Sequence, residues 1–373
     1  MREATRPLAA YSGAMDDGGL YYHDYLQLDR LLDCQALESS KAGETMHDEM
    51  LFIIVHQAYE LWFKQIRWEL EDIMTAFSGP TFDEYDTGRV VSRLRRINVI
   101  QRLLLTQIDV LETMTPMDFL DFRDHLVPAS GFQSVQFRLI ENMMGVRPQD
   151  RLLFEGAPYT HRLSPPHQAE VEASEHQLSL HDAVDAWLGR TPFLETFRFW
   201  DVYRSAVGEM LAADRQVIAT NPNLGDDERA DQLRSFDKTM DQFEAAFDPD
   251  RHAEMIAAGS RRMSYRAFQA ALFISLYRDH PALQEPHRLL ETLVDVDEGF
   301  TTWRYRHALM VQRMIGAKIG TGGSAGAKYL LKLAERNRAF PDLLVVPTFL
   351  VPRSVRPALP DDLIDQMRYR YQP

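Results

Sequence analysis

Apolar residues recur at steps of three and four, and never at sustained steps of two, through almost the whole chain from residue 48 onward. That period gathers them on one face of a helix rather than one face of a strand, so the sequence dictates an all-α protein. Helices are predicted over about 48–77 and 84–112, parted by Ser78-Gly79-Pro80, then over 116–126, 131–145, 168–188, 194–220, 226–246, 264–278 and 282–317. Pro148, Pro158, Pro165 and Pro166 mark a loop ahead of the middle helices. Pro341, Pro347, Pro352, Pro357 and Pro360 predict an extended segment lying over the surface before a final short helix. Residues 1–19, irregular and glycine-bearing, are expected to be mobile. The resulting architecture is a single large helical-bundle domain over 1–373, with a helical insertion at about 146–260 and a C-terminal segment over 340–373.

Two of the apolar stripes carry a histidine. Phe300, Trp303, His307, Met310, Val311 and Met314 share one helical face, and so do Phe52, His56, Tyr59 and Phe63. A buried imidazole needs a partner. For a lone histidine that partner is most often a backbone carbonyl, and this alternative stays open for each. Two such histidines on distant helices, both among aromatic rings, suit a flat apolar cofactor such as haem, for which neutral imidazole is an axial ligand.

Other patterns narrow the chemistry. The loop Gly320-Thr321-Gly322-Gly323-Ser324-Ala325-Gly326 has nucleotide-loop spacing, but a helix precedes it and no Gly-Lys-Ser/Thr is present, so phosphate binding is rejected. It either offers amides and the Thr321 hydroxyl to a small polar ligand or serves as a flexible connector. Phe119, Arg123 and Leu126 share a face, where the guanidinium can take a carboxylate bidentately or simply pair with Asp121 or Asp124. The turn Pro128-Ala129-Ser130-Gly131-Phe132-Gln133-Ser134 lets a ligand approach the backbone closely. Only Glu44-Thr45-Met46-His47 fits the paired motif of a di-iron bundle, and no zinc-helix or nucleophile-turn motif occurs.

Forty-one basic against fifty-five acidic residues give a net charge of −14, which excludes nucleic acid and anionic membrane as general partners. Short basic runs such as Arg93, Arg95 and Arg96 read as solvated helix faces. Cys34 is the only cysteine, so no internal disulfide, zinc ribbon or covalent haem attachment is available; the thiol is expected to be inert packing. No signal segment or membrane-spanning run is evident, so a cytoplasmic location is expected. The tyrosine-dense stretch Leu20 to Leu28 packs either on a neighbouring subunit or into its own core.

Taken together, His47 to Lys64, Phe122-Arg123 through Pro128-Ala129-Ser130-Gly131-Phe132-Gln133-Ser134, and Trp303 to Gly316 followed by Gly320 to Gly326 closely resemble the tryptophan 2,3-dioxygenase family, over roughly residues 20–355. The middle, including Ala186 to Pro192 and Arg261 to Ala267, looks like its longer, animal-type branch. The resemblance implies haem b, ferrous when active, with His307 as its proximal iron ligand and Trp303, Ser130 and Gly131 beside it. It implies His56 as the distal, catalytic histidine near the indole nitrogen of L-tryptophan, and Arg123 and Thr321 as binders of the substrate's carboxylate and ammonium groups. Phe52, Phe119, Leu126 and Ser130 match pocket positions, while Tyr22, Tyr25 and Leu26 match residues supplied by a neighbouring subunit of a homotetramer. The implied reaction inserts both atoms of O2 across the indole C2–C3 bond to give N-formyl-L-kynurenine, the first step of the kynurenine pathway. Phe119 stands where some bacterial members have tyrosine, leaving Arg123 more of the carboxylate recognition, and Ala325 stands where a second serine is common. The rival expectations are a related haem enzyme hydroxylating another indole or aromatic amino acid, and a non-enzymatic haem-binding sensor.

Overall fold

The protein is described from a computed structural model covering residues 19–79, 81–151, 158–192, 194, 199–318 and 327–368. Among these residues there are helices and turns and no strand. Three short helices, α1 (Tyr22–Tyr25), α2 (Leu28–Leu32) and α3 (Glu38–Lys41), lead into α4 (His47–Phe77), α5 (Glu84–Leu111), α6 (Pro116–Arg123) and α7 (Val135–Met144). The middle of the chain holds α8 (Pro165–Ser174), α9 (Leu180–Gly189), α10 (Phe199–Thr220), α11 (Asp226–Ala245) and α12 (Pro249–Ala257). The chain then runs through α13 (Tyr265–Leu276), α14 (Pro281–Ile315), α15 (Ala327–Arg336) and α16 (Asp361–Gln366).

The long helices α4, α5 and α14 form the centre, with α5 packed against both others and α15 laid along α14. Ile66, Leu70, Leu94, Ile97, Leu289, Leu293 and Val296 are fully buried between them. At the α5–α14 crossing Gly299 leaves room for the buried Gln101, whose Nε2 donates to the Val296 carbonyl at 2.9 Å. On the other side, Arg89 and Arg93 reach back from α5 to Asp72 of α4. Arg93 and Arg96 also meet Glu69, whose side chain is 2% exposed. The basic run is therefore only partly a solvated face, because two of its members neutralise a buried carboxylate; Arg95 alone is simply exposed.

Local chemistry sets the helix ends. Asp83 with Asp86, Thr115 with Asp118, and Ser179 with Asp182 form reciprocal caps at α5, α6 and α9. The last of these divides the predicted helix 168–188 in two, since Ser179 starts a new helix after α8 has ended at Ser174. Asp248 likewise nucleates α12, which the periodicity did not show, by accepting from the N–H groups of Asp250 and Arg251.

The proline-rich C-terminal segment departs most from expectation. Rather than lying extended over the surface, it makes 3-10 turns at Pro341–Leu344 and Val346–Phe349 and buries Phe340, Leu343, Val346 and Phe349. A fixed proline φ suits the first position of a helical turn as well as an extended chain, and here the apolar neighbours decide. Tyr277 fastens the segment by donating to the Pro357 carbonyl at 2.6 Å. Within the stretch 146–260, α9 packs on α4 and α13, and Tyr203, Val207, Leu211 and Phe243 join the main hydrophobic cluster. A small satellite core of Leu139, Leu163 and Val171 seats α8 on α7.

At the other end, α1 and α2 bury no residue. The expectation of a mobile 1–19 falls, Gly19 apart, outside the described residues. No helix among the described residues is long and apolar enough to cross a membrane.

Candidate active site

Helix α4 supplies one wall of the site. Phe52 and His56 lie one turn apart on it, with ring centroids 4.0 Å apart. The His56 Nδ1 is 2.7 Å from the Phe52 carbonyl oxygen. A carbonyl only accepts, so in the neutral ring Nδ1 carries the proton and Nε2 keeps a lone pair for a donor. His56 is exposed, yet desolvation dominates its surroundings and pushes its pKa down, opposed by the Phe52 carbonyl and Glu60.

The cap at Thr115 and Asp118 directs α6 against both α4 and α14. This brings Phe119 to 5.7 Å and Phe122 to 5.6 Å from Phe52, ring centre to ring centre, and closes a three-ring apolar wall beside His56. Arg123 ends α6 with its side chain 17% exposed. Its nearest acidic neighbour in sequence, Asp124, is 3.9 Å away and 90% exposed, so that ion pair is weak. Leu126 follows in a 3-10 turn, half-buried against the same core.

Ser130 is fixed by a reciprocal cap: its Oγ accepts from the Phe132 N–H at 3.3 Å and its own N–H donates to Gln133 Oε1 at 3.1 Å. The hydroxyl proton remains available to a ligand. A Cβ at Gly131 would meet nothing within 4 Å, which fits the open approach that the small-residue turn implies.

The opposite wall is α14. His307 stacks on Trp303, with ring centroids 5.4 Å apart and planes within 12°. Trp303 in turn is boxed by Tyr59, Phe63 and Phe137 at 5.9, 6.1 and 5.1 Å. Desolvation, followed by the charge of His56, brings the His307 pKa down to about 4. The imidazole is therefore neutral at pH 7, and His56 is near enough to add to the shift. No hydrogen bond to His307 occurs among the described residues, so its bland alternative, a backbone carbonyl, is not realised there. A neutral, desolvated imidazole with a free nitrogen, set among aromatic rings, fits a haem iron as its acceptor.

Charged pairs hold this segment of α14 from both sides. Arg306, just before His307, meets Asp109 of α5 at 2.9 Å and Glu112, which caps α5, at 2.6 and 2.8 Å. Arg304 donates to Glu141 of α7 at 2.8 Å and to the Asn337 carbonyl at 2.9 Å. Among the described residues no group of three or more His, Cys, Asp or Glu side chains stands together as a metal cage, so the Glu44–His47 pair has no companions.

Two histidines, each set against an aromatic ring of its own helix and close enough for one to shift the other, draw the α4 and α14 motifs together. The sequence profile of the family described as Tryptophan 2,3-dioxygenase matches residues 9–350. The chain belongs to the tryptophan 2,3-dioxygenase family. A tryptophan 2,3-dioxygenase from Bdellovibrio bacteriovorus is 49% identical over 354 residues, which cover 94% of this chain and 99% of the relative. Those of Alteromonas mediterranea and Xenopus tropicalis are 44% and 46% identical, over 94% and 92% of this chain and 98% and 85% of theirs.

Of the residues that the resemblance to tryptophan 2,3-dioxygenases singled out, the structure gathers Phe52, His56, Phe119 and Arg123 around one wall, with Leu126, Ser130 and Gly131 following in the adjoining turns. Trp303 and His307 form the facing wall. Thr321 and its glycine loop lie outside the described residues. Tyr22, Tyr25 and Leu26 are 69%, 67% and 39% exposed among the described residues. Cys34 is not inert packing: it is exposed, its Sγ donating to the Leu31 carbonyl at 3.0 Å. Sequence reasoning missed Phe137, Glu141 and Asn337, which position Trp303 and Arg304. Phe137 and Glu141 lie more than 150 positions from Trp303 and Arg304, and Asn337 lies 33 positions from Arg304; no local pattern announces such pairings.

Proposed function

We propose that this chain is a haem-dependent dioxygenase that converts L-tryptophan and O2 to N-formyl-L-kynurenine. The observation that carries the reading is the pair of neutral histidines, His307 with no hydrogen-bond partner among the described residues and His56 with Nδ1 turned to the Phe52 carbonyl, in a chain of this family. Each of the indole carbons C2 and C3 gains one oxygen atom as the bond between them breaks, so O2 is consumed whole. Haem b, ferrous in the active enzyme and held through His307, supplies the O2-activating chemistry. Trp303 fixes the plane of the His307 ring, and Phe52, Phe119 and Phe122 exclude water from the indole.

His56 accepts the indole N–H at Nε2 and so orients the ring. Arg123 takes the α-carboxylate, its fork matching the two oxygens. Thr321 is assigned to the ammonium end, and Leu126, Ser130 and Gly131 to the closely packed edge of the ligand and cofactor. We further propose a cytoplasmic homotetramer in which a neighbour's Tyr22, Tyr25 and Leu26 close the pocket. The test is incubation of the haem-loaded protein with L-tryptophan and O2. Appearance of the near-ultraviolet absorbance of formylkynurenine, with one O2 consumed per tryptophan, is expected; a hydroxylated indole, or no consumption of tryptophan, would overturn the reading.

A further inference from the structure

The α14 wall of the site contains one polar atom that the proposed reaction leaves unexplained. The indole Nε1 of Trp303 is buried and, among the described residues, completes no hydrogen bond. An indole N–H is only a donor, and an unsatisfied donor in the interior is costly. Stacking on His307 does not call for it, since a phenylalanine ring in the same place would stack as well.

The group nearest to receiving this N–H is the hydroxyl of Tyr59 on α4. The Tyr59 and Trp303 rings meet with centroids 5.9 Å apart and planes at 64°. Tyr59 is buried, and its hydroxyl donates to the Leu104 carbonyl of α5 at 2.7 Å. With its one proton committed there, the oxygen can serve Trp303 only as an acceptor. Burial pushes the Tyr59 pKa up to about 12, and the Trp303 N–H acts in the opposite direction, as a donor close to the phenol oxygen does. The hydroxyl therefore stays protonated near neutral pH and keeps both roles.

The backbone that carries Trp303 and His307 is already held by ion pairs. Arg306 meets Glu112 and Asp109 on one side. On the other, Arg304 donates to Glu141, which Arg138 and Arg151 also approach at 3.0 and 3.7 Å. Burial would raise the Glu141 pKa, but the arginines outweigh it and hold it at about 2, so the carboxylate is ionised. These pairs fix the helix and leave its side chains to rotate. A metal-bound histidine is usually oriented by a hydrogen bond from its second ring nitrogen, and among the described residues nothing receives one from His307. Its plane follows Trp303 instead, within 12° of parallel. Phe63 and Phe137 also pack on Trp303. Apolar contacts let a ring tilt and slide, whereas a hydrogen bond is directional.

We propose that Tyr59 is a positioning residue for the haem ligand: its hydroxyl, anchored on the Leu104 carbonyl, receives the Trp303 N–H and so sets the tilt of the indole and of the His307 ring stacked on it. This rests on the reading of His307 as the axial ligand. Tyr59 acts through Trp303 and not on the reacting atoms, and it ties the orientation of a side chain on α14 to the backbone of α5.

The test uses the haem-loaded protein, ferrous and free of O2, as wild type, Tyr59→Phe, Trp303→Phe and the double variant. Resonance Raman spectroscopy reads the iron–histidine stretching band, and haem transfer to excess apomyoglobin reads retention. Tyr59→Phe is expected to displace and broaden the band and to speed haem loss by about tenfold, the scale on which groups behind a metal ligand act. Trp303→Phe keeps a stacking ring and the bond from Tyr59 to Leu104 but lacks the donor. It should displace the band in the same direction, and adding Tyr59→Phe to it should have no further effect. A merely structural Tyr59 would lower the melting temperature and leave the band in place, which overturns the proposal. A further displacement in the double variant overturns it too, because the two residues would then act independently. A wild type with no iron–histidine band would overturn the haem reading itself, and the proposal with it.

Discussion

The chemistry proposed for this protein depends on the protonation and placement of single side chains. His56 is held in the Nδ1–H form by the Phe52 carbonyl, and burial keeps its pKa below the ordinary histidine value. It therefore presents an acceptor and not a cation to the indole N–H. An acceptor that orients the substrate is helpful without being obligatory, so His56→Ala should lower kcat/KM by about 10–100-fold, the worth of one well-placed hydrogen bond. Complete loss of turnover with an intact Soret band would instead make His56 an essential base. Glu141 supports the other wall, and its pKa near 2 fixes a sign. Because the folded value lies below the unfolded one, the unfolded chain binds more protons between the two, and the contribution of Glu141 is present above about pH 4.5 and lost as pH falls toward 2. At pH 7, Glu141→Gln leaves the arginines unpaired and should cost about 3–5 kcal/mol. Urea midpoints of wild type and variant measured from pH 7 down to pH 3 should converge in acid; a difference that does not shrink below pH 4.5 would show that the Glu141 carboxylate is not the source.

At the scale of elements, the position of His307 depends on how α14 is registered against α5. Gly299 and Gln101 set that register: a Cβ added at Gly299 would collide with the Gln101 carboxamide, with Cδ only 2.6 Å away. Gln101 cannot swing aside freely, since it is buried and its Nε2 is bonded to the Val296 carbonyl. Gly299→Ala should therefore destabilise the protein by about 1–3 kcal/mol. Gly299→Ala combined with Gln101→Ala should recover part of the loss in a double-mutant cycle. Strict additivity in thermal or urea unfolding would sink this account. Neither residue was legible in the sequence, because a glycine in a helix gives no hint of which distant side chain it accommodates. The helices themselves were legible wherever an apolar stripe was long, as in α4, α5 and α14. Boundaries failed where a polar cap overrode the stripe, as Ser179 does, and the C-terminal segment failed because its prolines masked the burial of Phe340 and Phe349. The site divides the same way. His56 and His307 stood out as polar residues on apolar faces, while the roles of Arg123 and Ser130 became readable only through whole motifs, and Glu141 was invisible because it is defined by its distant partners.

For the whole molecule, the unbalanced surface lies at the N-terminal end. Leu20, Tyr21, Tyr22, Tyr25 and Leu32 are each 56% or more exposed, and Leu26 and Leu31 are exposed beside them. Seven large apolar side chains within thirteen residues form the kind of surface that marks an interaction site. A second copy of the chain is the natural cover, in keeping with the proposed tetramer, and it would carry Tyr22, Tyr25 and Leu26 to a neighbour's pocket. Two effects should then move together. Leu32→Glu paired with Tyr21→Asp, both outside the residues assigned to the pocket, should shift the sedimentation coefficient toward a smaller species. The same change should lower kcat/KM, because each cleft loses the segment that closes it. A wild type that sediments as a monomer would remove the assembly, and a dissociated variant with undiminished kcat/KM would show that each chain builds its site unaided.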